Sequence, residues 1–397
     1  MTYILILILI CYGIYQFDIC HKNDYRNRYY NFILVILILV SGLGYRMGGD
    51  GMVYVNEYNQ YRIVDGFSWS ALTAYSGRQP GWVFLCKLCR LITVDYWLFK
   101  LVHSILYNSM FFYSLKRLTS HRFTAILFYF ILIYFDTNFQ ILRQALAMGL
   151  FLVAVPFYLK KDWIRYYMLI ALAITFHEGA IICLLFPLIR YIKINKVSII
   201  MFGIIFISII VFIGPLLEML LMSYIPEAFR DKFLLYTKGI QTEGAFSFYI
   251  NVFLSFIIPL IVVYLRRNRF QEDFIGKGAI IYGLSYTVNL YFPIFYRFSY
   301  FFIFFFYFLY IDLFYDLSFY GLSFWKRCAN NISYLRWTNI KFFTYIALIT
   351  CFLGIKSRFY FSEYGDTGMP TWVQYYPYSS IIFMDTDDRR EEFIKRL

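Results

Sequence analysis

The chain has 397 residues, of which 61% are hydrophobic and 23% aromatic, while only 15% are charged. With a mean hydropathy of +0.59 it has too little polar surface to cover a water-soluble core of this size, which excludes an ordinary soluble enzyme and points to a polytopic membrane protein. The net charge of +13 falls in short loops between apolar runs, a pattern that sets membrane orientation, so no nucleic-acid partner is expected.

Taken in chain order, apolar runs mark candidate spans at 3–17, 32–45, 96–115, 123–136, 141–159, 163–177, 179–191, 198–222, 246–265, 277–293, 297–316 and 340–355. That makes about twelve helices, several of them shorter than the roughly 20 residues a crossing needs. The expected fold is therefore all-α, a polytopic transmembrane helical bundle forming one integral membrane domain over 1–397. Residues 46–95 are expected to be an extracytoplasmic loop carrying amphipathic helices, and the segment 82–94, with Lys87 and Arg90 inside it, suits the membrane interface better than a crossing. Residues 356–397 form an extracytoplasmic tail that ends in the charged stretch "DTDDRREEFIKRL", a solvated appendage. His21 to Arg28, Lys116 to Arg122, Lys160-Lys161, Arg190 to Lys196, Arg266 to Arg269 and Lys326-Arg327 all fall on one face when the N-terminus lies outside. The first run has no basic segment ahead of it and no small-residue cleavage site, so it is expected to remain as an anchor. The cysteines are scattered, and Cys86-Lys87-Leu88-Cys89 has redox spacing without a βαβ pattern around it, so these thiols are read as inert. No cluster of carboxylates suggests a metal, and no cofactor is expected.

This topology gathers the informative polar residues at the outer face: Arg46, Asp50, Arg78, Arg143, His177, Glu178 and Arg297. Arg143 stands out, because it lies just inside an apolar helix, where an unanswered charge costs about 2.5–3.5 kcal/mol. A guanidinium offers a planar fork that stays charged and matches a phosphate group. The competing readings of Arg143 are snorkelling to the interface and pairing with Asp136. Gln144 points about 100° away around the helix, so it need not share a ligand with Arg143. Asp50, in "GGDG" ahead of a helix, is a candidate base or simply a helix cap. His177 and Glu178, at a corner between two segments, serve either the chemistry or a tight turn. Arg297 follows Pro293, whose ring breaks a helix at membrane depth. Tyr54, Tyr58 and Tyr61 form one stripe, with Glu57 beside them, on which a sugar ring can stack, although tyrosines also crowd membrane interfaces. Ala145 and Gly149 fit the small-xxx-small pattern of close helix packing.

The ordered set "YRMGGDGMVYVNEYNQY", "RQPGW", "ILRQALAMGLFLVAVPFYLKK", "LIALAITFHEGAII", "YRFSYFFIFFF" and "YYPYSSIIF" resembles the EpsG family of exopolysaccharide-biosynthesis membrane proteins, over about residues 1–383. One departure is Gln79, where the resemblance leads one to expect a glutamate before the proline. The resemblance implies a Wzy-like polysaccharide polymerase of the bacterial inner membrane, with a GT-C-like bundle and a polyprenyl-diphosphate-linked oligosaccharide as substrate. A chain-length regulator and a flippase are the implied partners. On that reading Arg143 and Arg297 bind the diphosphate, Asp50 or His177 is the base, and Gln144, Arg46, Arg78, Glu178, Tyr54 and Tyr58 complete the substrate site. The rival readings are a glycan ligase, a lipid-linked oligosaccharide flippase, an acyltransferase built on His177 and a structural scaffold. No internal repeat with matched broken helices supports the flippase.

Overall fold

The computed structural model describes residues 2–75, 77–193, 195–208, 250–266, 274–291, 295–318, 334–363, 367–384 and 387–396. The loop 223–245, the break at Pro293 and the basic pair Lys326-Arg327 lie outside the described residues. Within them the chain is all-helical, with isolated bridges of Gly44 with Ser380 and Glu363 with Pro370.

The helices in chain order are α1 (Thr2–Gly13), prolonged by a π-helix over Ile14–Ile19, then α2 (Arg26–Gly42), α3 (Gly51–Gln60), α4 (Trp69–Thr73), α5 (Pro80–Arg90), α6 (Tyr96–Leu118) and α7 (Arg122–Leu132). A π-helical turn, Asp136–Gln140, leads into α8 (Leu142–Leu159) and α9 (Trp163–Phe176), and α10 (Lys196–Ser208) lies beyond a 3₁₀ helix at Glu178–Tyr191. The later elements are α11 (Ile258–Arg266), α12 (Phe274–Tyr291), α13 (Tyr296–Asp316), α14 (Tyr334–Lys356) and α15 (Asp388–Arg396).

Among the described residues four helices are long and apolar enough to cross a membrane: Thr2–Ile19, Leu142–Leu159, Tyr296–Asp316 and Phe342–Phe361. Arg122–Leu132, Trp163–Phe176, Lys196–Ser208 and Ile250–Leu265 are apolar but shorter. The run at 179–191 is not among them. It forms a 3₁₀ helix of 14 residues, Glu178–Tyr191, whose rise of about 2 Å per residue makes it about 28 Å long.

The described residues group into two compact units, the first of 1–181 with 314–397 and the second of 182–313. In the first unit α8 is the central helix, 78% of its length buried, packed on α6 and α9. Ala145 is fully buried, and a Cβ on Gly149 would stand 2.8 Å from Met110 Cε of α6, as the small-residue spacing of α8 led one to expect. Apolar burial gives little preference for helix over lipid, so packing and interhelical hydrogen bonds hold such a bundle. Here a buried polar network supplies the bonds. Asn108 Nδ2 donates to Asn138 Oδ1 at 2.9 Å and Tyr129 Oη to Asn108 Oδ1 at 2.7 Å. Ser104 Oγ reaches Ile38 O at 2.9 Å, and Tyr134 Oη reaches Leu37 O at 2.6 Å. Lys100 Nζ donates to Asn138 O and lies 4.4 Å from the Phe139 ring centroid. These contacts pin the Asp136–Gln140 turn to α2, α6 and α7.

Two of the basic loops, His21 to Arg28 and Lys116 to Arg122, meet at the start of α2. Asp18 accepts from Thr124 N at 2.8 Å, Arg26 stands 3.7 Å from Asp18, and Arg26 donates to Ser120 O at 2.9 Å. The loop that carries Arg46 and Asp50 follows the other end of this 17-residue helix, about 25 Å away at 1.5 Å per residue. In the second unit, Phe186 stacks on Phe305 at 5.2 Å, Tyr282 on Phe306 at 4.6 Å, and Tyr310 Oη donates to Leu254 O at 2.6 Å.

Candidate functional site

Three short elements build the site in the first unit. The first is α3, which Gly48 sets in place. Its φ of +82° and its approach to the neighbouring turn, where a Cβ would lie 2.6 Å from Phe139 O, both require glycine. Asp50 occupies the N-cap position of α3 without a side-chain cap hydrogen bond, and its side chain is exposed. Capping by the Asp50 carboxylate is thus not what starts this helix. The second element is α5. Gln79 has extended backbone ahead of Pro80 at the first helical position, where a missing N–H costs nothing. Gly81 of α5 lies against the Thr175 hydroxyl and carbonyl at the end of α9, which brings Gln79 beside the His177-Glu178 corner. The third is the start of α8, with Arg143 in its first turn.

Arg143 Nη1 donates to Gly77 O and to Gln79 Oε1, each at 3.2 Å. Its Nε is buried with no hydrogen-bond partner among the described residues. No carboxylate pairs with it there, and Asp136, the partner weighed from the sequence, accepts from Tyr375 Oη at 3.1 Å. Gln79 turns its amide to use both ends, accepting from Arg143 and donating from Nε2 to Glu178 Oε2 at 2.7 Å. A glutamate at this position would face the Glu178 carboxylate with no proton to offer, so the departure at Gln79 is what lets a neutral side chain link a cation to an anion.

Next in the chain, Arg78 Nη2 forms an ion pair with Glu57 Oε1. Burial lowers the Arg78 pKa, but the bond to Glu57 and its charge outweigh this and hold it above the ordinary value. Glu57 is only 8% exposed, and its second oxygen, Oε2, is buried without a hydrogen-bond partner among the described residues. Tyr54 lies in the same neighbourhood. Burial pushes its hydroxyl well above the usual value, the Arg143 charge pulls it back, and Asp50 and Glu57 push it further up.

The remaining candidates separate. His177 Nδ1 accepts from Gly179 N at 3.1 Å, the turn-forming role weighed for it, and the side chain is 6% exposed. Gln144 is buried beside Arg143, at 2% exposure. Tyr58 is turned away from the cluster, its ring 5.6 Å from Tyr96 and 5.3 Å beneath the Arg90 guanidinium. Arg46 makes a two-pronged pair with Glu391 of α15, at 2.7 and 2.6 Å, whose hydrogen bonds raise the Arg46 pKa. Arg297 belongs to the second unit, half-buried in the first turn of α13. The structure thus brings Tyr54, Arg78, Arg143 and Glu178 together around Glu57 and Gln79, and places Arg46 in a tail contact.

That tail is part of the frame, and its charged end is not the solvated appendage expected of it: Arg390 and Phe393 of α15 are buried. Gln374 accepts through its carbonyl O from Gly48 N at 3.1 Å and through Oε1 from Gly49 N at 2.8 Å, and it also joins Gln140. It links the Asp50 loop to the turn that precedes Arg143. Ser379 O accepts from Tyr45 N at 3.0 Å, and Arg390 donates to Pro377 O at 2.9 Å.

A family model described as "EpsG family" matches residues 27–380, taking in every element of this cluster and of α13. The chain belongs to the EpsG family. Membership associates this EpsG protein with membrane-bound polysaccharide polymerisation. No curated protein and no solved structure matches it.

Sequence reasoning passed over Glu57 as a group in its own right, along with Gln374 and the buried Lys100, Ser104 and Asn108. The last three had a signal, since they recur at every fourth position of an apolar helix and polar residues in such a helix face its protein neighbours. Gln374 had none, because its partners lie more than 200 residues away in the chain.

Proposed function

We propose that this EpsG protein is a polymerase of lipid-linked repeat units. It transfers a glycan from a polyprenyl diphosphate to a sugar hydroxyl of an incoming lipid-linked unit, at the outer face of the bacterial inner membrane. The observation that carries this reading is Arg143. Its guanidinium is held at the mouth of a membrane helix by two neutral acceptors and by no carboxylate among the described residues, so its charge is left for an anionic ligand. A departing diphosphate gains negative charge and needs no proton, and a guanidinium positioned beforehand lowers the barrier without reorganising. The reaction proposed is metal-independent in that a guanidinium supplies this charge, and Arg297, at the start of α13, is proposed by itself as a further residue that polymerisation needs. The sugar hydroxyl also needs a proton acceptor, for which the sequence offers Asp50 and His177. The ligase reading shares this donor chemistry and differs in the final acceptor.

The test is the ladder of lipid-linked glycans from cells carrying Arg143→Ala, Arg143→Lys or Arg297→Ala. The expected result is loss of long chains at normal protein levels for all three, with the lysine variant failing because a point charge does not reproduce the planar fork. A normal ladder from Arg143→Ala refutes the diphosphate site.

A further inference from the structure

Polymerisation of the kind proposed above needs a group that takes the acceptor's proton, and the two nominated residues are poorly placed for it. Asp50 is exposed at the start of α3, and the Nδ1 of His177 already accepts from the Gly179 amide. Two turns beyond Asp50 on α3 lies Glu57. The consecutive residues Arg78 and Gln79 tie it to Arg143, Arg78 by pairing with Glu57 Oε1 and Gln79 by accepting from Arg143. One carboxylate oxygen is thus fixed by a cation, while the other is buried with no hydrogen-bond partner among the described residues. Leaving a buried carboxylate oxygen without a donor costs free energy, and a hydroxyl entering the cluster removes that cost by donating to it. Glu178, the other carboxylate here, is exposed and already accepts from Gln79.

We infer that Glu57 is the catalytic base, its Oε2 receiving the acceptor hydroxyl while Arg78 orients the carboxylate and Arg143 holds the donor's diphosphate. This rests on the polymerase reading. In the step, the hydroxyl O–H breaks and its proton passes to Glu57 Oε2. The oxygen forms a bond to the anomeric carbon of the donor glycan. The bond from that carbon to the diphosphate oxygen breaks, and its electron pair leaves with the diphosphate to meet Arg143. The protonated Glu57 then returns its proton to water, which resets the site. Arg78 is a positioning residue, acting through Glu57.

The experiment reconstitutes the full-length protein in phospholipid vesicles and supplies lipid-linked repeat units extracted from cells lacking the gene. It compares wild type with Glu57→Gln, Glu57→Asp, Arg78→Gln and Arg143→Ala. Glutamine keeps the oxygen that accepts from Arg78 but cannot take a proton, so a purely structural Glu57 tolerates it. The expected result for Glu57→Gln is a fall in turnover of about 100-fold or more, with the KM for repeat units and the binding of a long-chain polyprenyl diphosphate changed by less than about 3-fold. Glu57→Asp should retain part of the turnover. The assignment is overturned if Glu57→Gln polymerises at the wild-type rate while Arg143→Ala is inactive, a result that leaves the polymerase reading standing. It is also overturned if Glu57→Gln and Arg78→Gln lose diphosphate binding to the same extent, because Glu57 then only holds Arg78. If wild-type vesicles extend no repeat units but transfer finished chains to another acceptor, the polymerase reading itself falls.

Discussion

Removing the side chain of Gln374 tests whether the C-terminal tail frames the site. In Gln374→Ala the buried Gly49 amide loses its acceptor at 2.8 Å, and Gln140 loses the same oxygen. The backbone bond from Gly48 N to Gln374 O remains. An orphaned buried N–H costs about 1–3 kcal/mol, and losing the second, half-buried bond costs about 0.5–1.5 kcal/mol, so the sum is roughly 1.5–4.5 kcal/mol. At about 2 °C per kcal/mol for a large chain this is a fall of about 3–9 °C in the apparent melting temperature of the detergent-solubilised protein, read by intrinsic fluorescence. The loss falls on the Asp50 loop and on the turn ahead of Arg143. Long-chain polymer per molecule of folded protein should therefore drop at a growth temperature well below the melting point. A variant that melts with wild type and makes normal polymer would refute both the tail contact and its role in shaping the site.

Other outcomes follow from the same contacts. Arg46→Ala and Glu391→Gln each break a two-pronged pair whose side chains are 30% and 22% exposed, so each should cost about 1 kcal/mol or less and make the tail more open to protease, and the double variant should be little worse than either single one. Burial pushes the Cys86 thiol well above its ordinary value and the Cys89 thiol up to about 11. The thiolate is the nucleophile, so maleimide at pH 8 should label the exposed Cys20 and leave both unmodified. Labelling of Cys86 or Cys89 at pH 8 would contradict the inert-thiol reading.

The parts of this fold that were legible in the sequence rest on local regularities. Apolar runs mark α1, α8, α13 and α14 because a bilayer demands continuous apolar length, whereas the run at 96–115 forms the long helix α6 without being apolar enough to count among them. The joining of the loops around Arg26 and Arg122 fits the charge pattern. Arg143 drew attention because one guanidinium in an apolar helix is anomalous in sequence alone. The 3₁₀ form of Glu178–Tyr191 was not legible, because an apolar pattern does not distinguish a 3₁₀ helix from an α-helix. The pairings of Glu57 with Arg78 and of Arg46 with Glu391 were hidden for another reason. A side-chain ion pair across loops leaves no periodicity, and Arg46, read as a ligand residue, turned out to hold α15. Gln79 looked like a weakened acid in isolation and became a link once Glu178 stood beside it.

The central claim, that this chain joins lipid-linked repeat units, is tested most directly by deleting the gene in its host and separating the lipid-linked glycans by size. The account predicts that single repeat units accumulate on their lipid and long chains disappear, with both effects reversed by the wild-type gene and not by Arg143→Ala. Persistence of full-length polymer on its lipid, with only its transfer to a final acceptor lost, would contradict the account and identify a ligase.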